Sequence, residues 1–170
     1  MSRQAMIKTI LDRFGKYVVQ QARANLSKGK QNTSKTLYNS IKYDLFVSKT
    51  GQSFGMKFMM EQYGEYQDKG VHGVKSSPIS AQGSPYRYKD KLPPARAFGN
   101  WVVKKGLKGV RDQKTGRFIS RKSLQYAIAR SIYNHGIPAT KFFSKPFNKG
   151  FGQLPPDLLG AFKIDPSDFK

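Results

Sequence analysis

The feature that most limits how this chain folds is a change of apolar period within its first 60 residues. Ile7, Ile10, Leu11, Phe14, Tyr17, Val18 and Ala22 recur at i, i+3, i+4 and i+7, while Arg3, Lys8, Arg13, Lys16 and Arg23 fall mostly elsewhere. That spacing predicts an amphipathic helix with one face packed on other elements. Ser2 is placed to cap it and Gly29 to stop it. From Ile41 the period becomes two. Ile41, Tyr43, Leu45 and Val47 alternate with polar or mixed positions, Lys49-Thr50-Gly51-Gln52 reads as a turn, and Phe54, Met56, Phe58 and Met60 alternate again. The prediction is a β-hairpin under a long helix. Phe46 and Met59 add apolar character to the opposite face, which implies partial burial on both sides or a partner on one.

Beyond the hairpin, residues 61–92 read as an irregular stretch, longer than an ordinary connection and carrying Tyr63, Tyr66, Tyr86 and Tyr88. After Pro93-Pro94 the spacing of Phe98, Trp101, Val102 and Lys105 predicts a short helix that Gly106 and Gly109 end. The next segment reads as a two-stranded ribbon turning at Gln113-Lys114-Thr115-Gly116. A third helix follows, with Ser120 as cap, Leu124, Ala127, Ile128, Ser131 and Ile132 as stripe, and Gly136 as a left-handed terminator. The remainder is rich in aromatics and proline, and Pro156 can open a last short helix with Leu158, Leu159 and Phe162. The expected fold is α+β: a long N-terminal helix on a small antiparallel sheet, two further helices, an extended basic loop or ribbon, and a C-terminal tail. We expect one domain over 1–152 with a basic insertion at about 75–122, and an extension over 153–170.

Charge is the main compositional anomaly. Lys and Arg number 31 against 10 Asp and Glu, a net of +21. A surface so charged repels copies of itself and implies an anionic neighbour, whether nucleic acid, membrane or acidic protein. The excess is uneven: residues 75–125 hold thirteen basic and two acidic side chains, residues 51–74 two and three. Cysteine is absent, which excludes disulfides, thiolate nucleophiles and zinc ribbons. The N-terminal segment lacks the continuous apolar stretch of a signal peptide, and no apolar run approaches the ~20 residues of a membrane span.

Signals of catalysis are sparse. The histidines are His72 and His135, without an H-E-x-x-H motif or a second ligand at helical spacing. Glu61, Glu65 and Asp68 stand at i, i+4 and i+7 and would share a helical face, as a Mg²⁺-dependent nuclease would require. Pairing with Lys69 or with a basic neighbour is the plainer account of them. Lys104, Lys105, Lys108, Arg111, Lys114, Arg117, Arg121 and Lys122 surround Gly106, Gly109 and Gly116, yet no phosphate-loop motif is formed. What remains is a sequence-independent anion patch, interleaved with Trp101, Phe118 and Tyr126, for backbone phosphates or for an acidic protein. We expect no catalytic residue, cofactor or metal.

The stretch Tyr63-Gly64-Glu65-Tyr66-Gln67-Asp68-Lys69-Gly70-Val71-His72-Gly73 resembles a motif of tailed-phage tail-completion and head–tail connector (neck) proteins. In that family a short aromatic segment with an acidic residue and glycine follows a strand, and a Pro-Phe phrase precedes the last helix. Ile137-Pro138-Ala139-Thr140-Lys141-Phe142-Phe143-Ser144-Lys145-Pro146-Phe147 occupies the second place here. The order of elements is similar too, and the run from Asp112 to Tyr133 resembles structural proteins of crAss-like podoviruses. The resemblance covers residues 5–152; the basic insertion and the tail after Gly152 depart from it. It implies a non-enzymatic virion subunit, made in the host cytoplasm, that forms a six- or twelve-fold ring at the portal–tail junction. Its partners would be copies of itself, the portal, other neck and tail proteins and double-stranded DNA bound without sequence preference, with no membrane. Exposed Tyr63, Tyr66, Phe142, Phe143, Phe147 and Phe151 would fill pockets on neighbours, and the basic residues at 104–122 would face channel DNA or an acidic portal surface. The runner-up is a non-specific DNA-binding or packaged nucleoid protein. An RNA-associated protein, which no recognisable motif supports, and an enzyme follow.

Overall fold

The computed structural model describes residues 2–29, 34–107 and 111–159. The fold is α+β, with the long N-terminal helix, the antiparallel hairpin and several further helices, some expected (Gly99–Lys104, Arg121–His135, Pro156–Leu159) and some not (Thr36–Ser40, Tyr63–Lys69, Ser144–Phe151). It divides into two compact units, residues 1–64 with 141–170 and residues 65–140. The second unit is thus a continuous insertion in the chain of the first, wider than the basic stretch 75–122.

In the first unit, helix α1 (Arg3–Lys28) starts where Ser2 Oγ accepts the Ala5 N–H at 3.2 Å. Gly29 ends it in right-handed backbone, its N–H donating to Asn25 O. The buried side of α1 is Ile7, Leu11, Phe14, Val18, Val19, Ala22 and Leu26. A short helix α2 (Thr36–Ser40) leads into strands β1 (Lys42–Val47) and β2 (Phe54–Met59), which pair antiparallel with Tyr43 opposite Phe58 and Leu45 opposite Met56. Those inward positions are the alternating set, while Lys42, Asp44, Phe46 and Lys57 are exposed. Phe46 stands opposite Gly55, which offers no side chain to cover it, and is 64% exposed.

One residue of α1 lacks a Cβ for a visible reason. A Cβ on Gly15 would lie 2.6 Å from the Tyr43 ring. That ring comes close enough to α1 for its hydroxyl to donate to Asp12 Oδ1 at 2.7 Å, and Asp12 also pairs with Lys16 at 2.8 Å. The bond to Lys16 and the Tyr43 hydroxyl hold the Asp12 carboxyl below its ordinary pKa. Desolvation, then the bond to Asp12, push Tyr43 up to about 12.

The unit closes with helices α6 (Ser144–Phe151) and α7 (Pro156–Leu159). Phe147 packs edge-on against Phe14 at 5.6 Å and Phe58 at 5.7 Å, and stacks with Phe143 and Phe151. Phe142 belongs to an adjoining cluster with Leu26, Leu37 and Ile41, and its carbonyl accepts from Asn25 Nδ2 at 3.1 Å. The expectation that the aromatics of 142–151 stand exposed is therefore corrected. Phe142 is 1% and Phe147 6% exposed, and Phe143 and Phe151 are half-buried. Leu158 joins the core, while Phe162 lies outside the described residues.

The boundary between the units falls inside helix α3 (Tyr63–Lys69), so the first part of the stretch expected to be irregular is helical. In the second unit, Val71 and Ile137 exchange backbone hydrogen bonds of 2.9 and 2.8 Å, and Thr140 N–H donates to Gln67 O. His72 bridges to Arg87 through Tyr86 and Tyr88, and Val74, Lys75 and Ser76 donate to the carbonyls of Tyr133 and Asn134. A 3-10 turn over Ala95–Phe98 precedes helix α4 (Gly99–Lys104), and Ser120 caps helix α5 (Arg121–His135) by accepting from Ser123 N–H at 3.1 Å. Gly136 has φ 78° with ψ −170°. Its positive φ is the one expected, but the extended ψ sends the chain directly into the bridge with Val71, not into a left-handed cap.

Two outcomes test this packing. In urea unfolding, Phe147→Ala should cost about 3–5 kcal/mol, while Phe46→Ala should stay within about 0.5 kcal/mol. A Cβ on Gly136 would lie 2.1 Å from Val71 O, and its conformation suits glycine almost alone. Gly136→Ala should therefore destabilise by at least about 2 kcal/mol, read as lost amide protection at Val71 and Ile137.

Candidate anion-binding surface

The second unit contains fifteen Lys and Arg against four Asp and Glu, a net of +11 over residues 65–140. Its acids are largely engaged within the unit. Glu65 accepts the Tyr86 hydroxyl, a bond that pushes Tyr86 up to about 12. Asp68 is buried, and Asp112 organises a turn. By contrast, all fourteen of the unit's described Lys and Arg are exposed. The unit therefore presents cations outward and keeps most of its anions for its own bonds.

Of the expected two-stranded ribbon, the described residues show one isolated bridge and the turn it closes, with no regular strand. Arg111 and Phe118 form an antiparallel bridge, and between them Asp112 N–H donates to Arg117 O and Gly116 N–H to Asp112 O. Asp112 Oδ1 accepts from Lys114 N at 2.9 Å, Thr115 N at 2.7 Å and Thr115 Oγ1 at 3.0 Å. Gly116 takes φ 68°, which makes the turn possible at no steric cost. Tied in this way, the turn carries Lys114 and Arg117 outward on a short, fixed loop. The Arg111 guanidinium lies 4.4 Å over the centroid of the Phe118 ring and donates to Gly116 O at 3.4 Å. A guanidinium over a ring face is an attractive cation–π contact. Even so, the Phe118 ring is 65% exposed.

The other expected contacts are distributed along the unit. Lys104 and Lys105 end α4, Arg121 and Lys122 open α5, and all four are exposed, while Lys108 lies outside the described residues. The first turn of α5 contains no acid, so its two cations add to the positive end of the helix dipole. Trp101 and Tyr126 are also exposed. Among the aromatics, Tyr66 packs edge-on against Tyr86 at 4.7 Å and stays partly exposed, and Tyr63 is exposed in the first unit.

The acidic trio is not one helical face. Glu61 precedes α3, where its backbone N–H donates to Ser40 Oγ, and Glu65 is engaged by Tyr86. Among the described residues no three His, Cys, Asp or Glu side chains gather as a metal would need. His135 Nδ1 and Ser76 Oγ lie 2.9 Å apart at the end of α5. What reading the sequence missed is the Arg111–Phe118 pairing and the role of Asp112. The turn gave the signal for both, since closing it at 113–116 sets residue 111 opposite 118. No family model, curated protein or solved structure matches the chain.

The amide bonds from Thr115 hold the Asp112 carboxyl below its ordinary value of 3.8, with further help from the Thr115 hydroxyl and the Lys114 amide. A lowered carboxyl contributes to the folded turn above its unfolded pKa, and the contribution is lost as pH falls through the folded value. The Lys114 and Thr115 amide resonances should therefore titrate with a midpoint below 3.8, and Asp112→Ala should abolish the titration. A midpoint at or above 3.8 would contradict the anchoring.

Proposed function

We propose that this chain is a structural subunit of a tailed-phage neck, forming a ring at the portal–tail junction by tail completion and carrying no catalysis. The observation that carries this reading is the exposure of all fourteen described cations of the second unit, beside acids spent largely inside it. A surface of that kind is not at rest in water alone and calls for an anionic neighbour. At a portal–tail junction both an acidic portal face and the passing genome supply one. Scattered Lys and Arg without base-reading geometry suit a channel through which duplex must slide.

The first unit supports assembly independently. Its strands pair only with each other among the described residues, so the hairpin joins no larger sheet there, and a neighbour could extend it. Phe46 offers a large apolar side chain on the hairpin's outer face. With Phe142 and Phe147 spent on the core, Tyr63 and Phe46 are the better candidates for ring contacts in this unit.

The second reading, a packaged nucleoid protein, shares the charge argument and differs in copy number. Quantitative mass spectrometry of nuclease-treated virions should find this chain in a small, fixed ratio to the portal. A large or variable copy number would favour the nucleoid reading, and absence from virions would overturn both.

A further inference from the structure

The second unit's surface combines two properties that a single partner must satisfy together. One is the set of exposed cations on and beside the ribbon, Arg111, Lys114, Arg117, Arg121 and Lys122. The other is an exposed aromatic ring among them, Phe118, held under the Arg111 guanidinium at 4.4 Å. An acidic protein surface would pair its carboxylates with the cations, and would cover the ring only if it also offered an apolar pocket beside them. Duplex DNA would leave the ring uncovered, because its bases are stacked on each other and it shows the protein phosphates and groove edges. An unpaired strand supplies a phosphate and a free π-face in every nucleotide.

We propose that the ribbon at 111–118 binds single-stranded DNA, with a base stacking on Phe118 and the neighbouring phosphates met by Lys114 and Arg117. The ring is suited to this by its fixation. Arg111 covers it from the opposite strand, and the Asp112-centred turn holds that strand in register. Less side-chain freedom is then lost when a base arrives. The ordinary role of such a cross-strand pair, stabilising a hairpin, accounts for the contact. It does not account for a phenylalanine left 65% exposed within a cluster of cations. The proposal uses only phosphates and a base face, and the Thr115 hydroxyl and Asp112 Oδ1 bond to each other within the turn. Binding of this kind needs no particular base. The proposal rests on the neck reading only in choosing DNA over RNA.

The test is fluorescence anisotropy on the full chain at fixed salt, with a thymidine 20-mer, a duplex of equal length and a uridine 20-mer as probes. The single DNA strand should bind at least tenfold more tightly than the duplex. Phe118→Ala, a change at an exposed site, should weaken single-strand binding by about five- to a hundredfold and leave duplex binding unchanged. Phe118→Trp should retain single-strand affinity. Lys114→Glu with Arg117→Glu should weaken both DNA probes. Duplex binding as tight as the single strand, an unchanged single-strand affinity in Phe118→Ala, or RNA bound tenfold more tightly than DNA would each overturn the proposal. Virion copy number is a separate measurement, so the neck reading and this one can fail independently.

Discussion

The first unit depends on one ring. Phe147 meets Phe14 of α1 and Phe58 of β2, and stacks on Phe143 and Phe151 from its own end of the chain. It joins α6 to both α1 and β2, and with Leu154 and Leu158 it completes the core over a hairpin that alone would be marginal in water. Yet Phe147 is separated from Phe58 by the entire second unit. The contact that completes the hydrophobic core is thus of very long range in sequence, and closing it costs loop entropy that rises slowly with the length of the intervening segment. A continuous second unit with its own termini bridged is the economical solution. The Val71–Ile137 hydrogen bonds bring the ends of that segment together, which shortens the effective loop that Phe147 must close.

The two units are held by different physics. Aromatic packing dominates the first. The second buries Val71, Ala81, Val102 and Ala129, small side chains that release little surface from water. Its order comes instead from backbone groups paired across the chain: segment 71–76 bonds to 86–88 on one side and to 133–137 on the other. Such close passage of main chains explains the pair of glycines there. A Cβ on Gly73 would come within 2.5 Å of Asn134 O, and one on Gly136 would strike Val71 O.

This difference also decides what could be read from the sequence. Long periodic signals were legible: the stripe from Ile7 to Ala22 is buried as predicted, and the alternation from Ile41 to Met60 gives the hairpin with its turn. The burial of Phe142 and Phe147 was not, because Phe142 precedes α6 and α6 is only eight residues long, opening with Ser144-Lys145-Pro146. A segment that short has too few turns to distinguish a core stripe from an exposed aromatic run. Residues 61–92 concealed a helix for a related reason, since Gly64 and the acids of α3 weaken any propensity argument, while Leu37 and Met60 packed against Gly64 supply the tertiary context. Of the surface, the exposure of Lys104, Lys105, Arg111, Lys114, Arg117, Arg121 and Lys122 follows from residue type alone. The pairing of Arg111 with Phe118 follows from a turn closed at 113–116, but the guanidinium over the ring depends on side-chain placement that no pattern in the sequence carries.

Charge and stability then become one question for the second unit. A net of +11 on a segment with a small apolar core means that self-repulsion works against the only weakly favourable burial that holds it. Anything anionic that binds the folded unit and not its unfolded chain shifts the balance by mass action, in proportion to the logarithm of its concentration over its dissociation constant. Multivalent phosphate does this more effectively than simple salt, because it places several charges at fixed spacing against cations that the fold has already exposed. Salt screening relieves the repulsion without rewarding the folded geometry. A polyanion laid across this surface would therefore also stabilise the unit, because the same cations that weaken the free unit would become favourable against it.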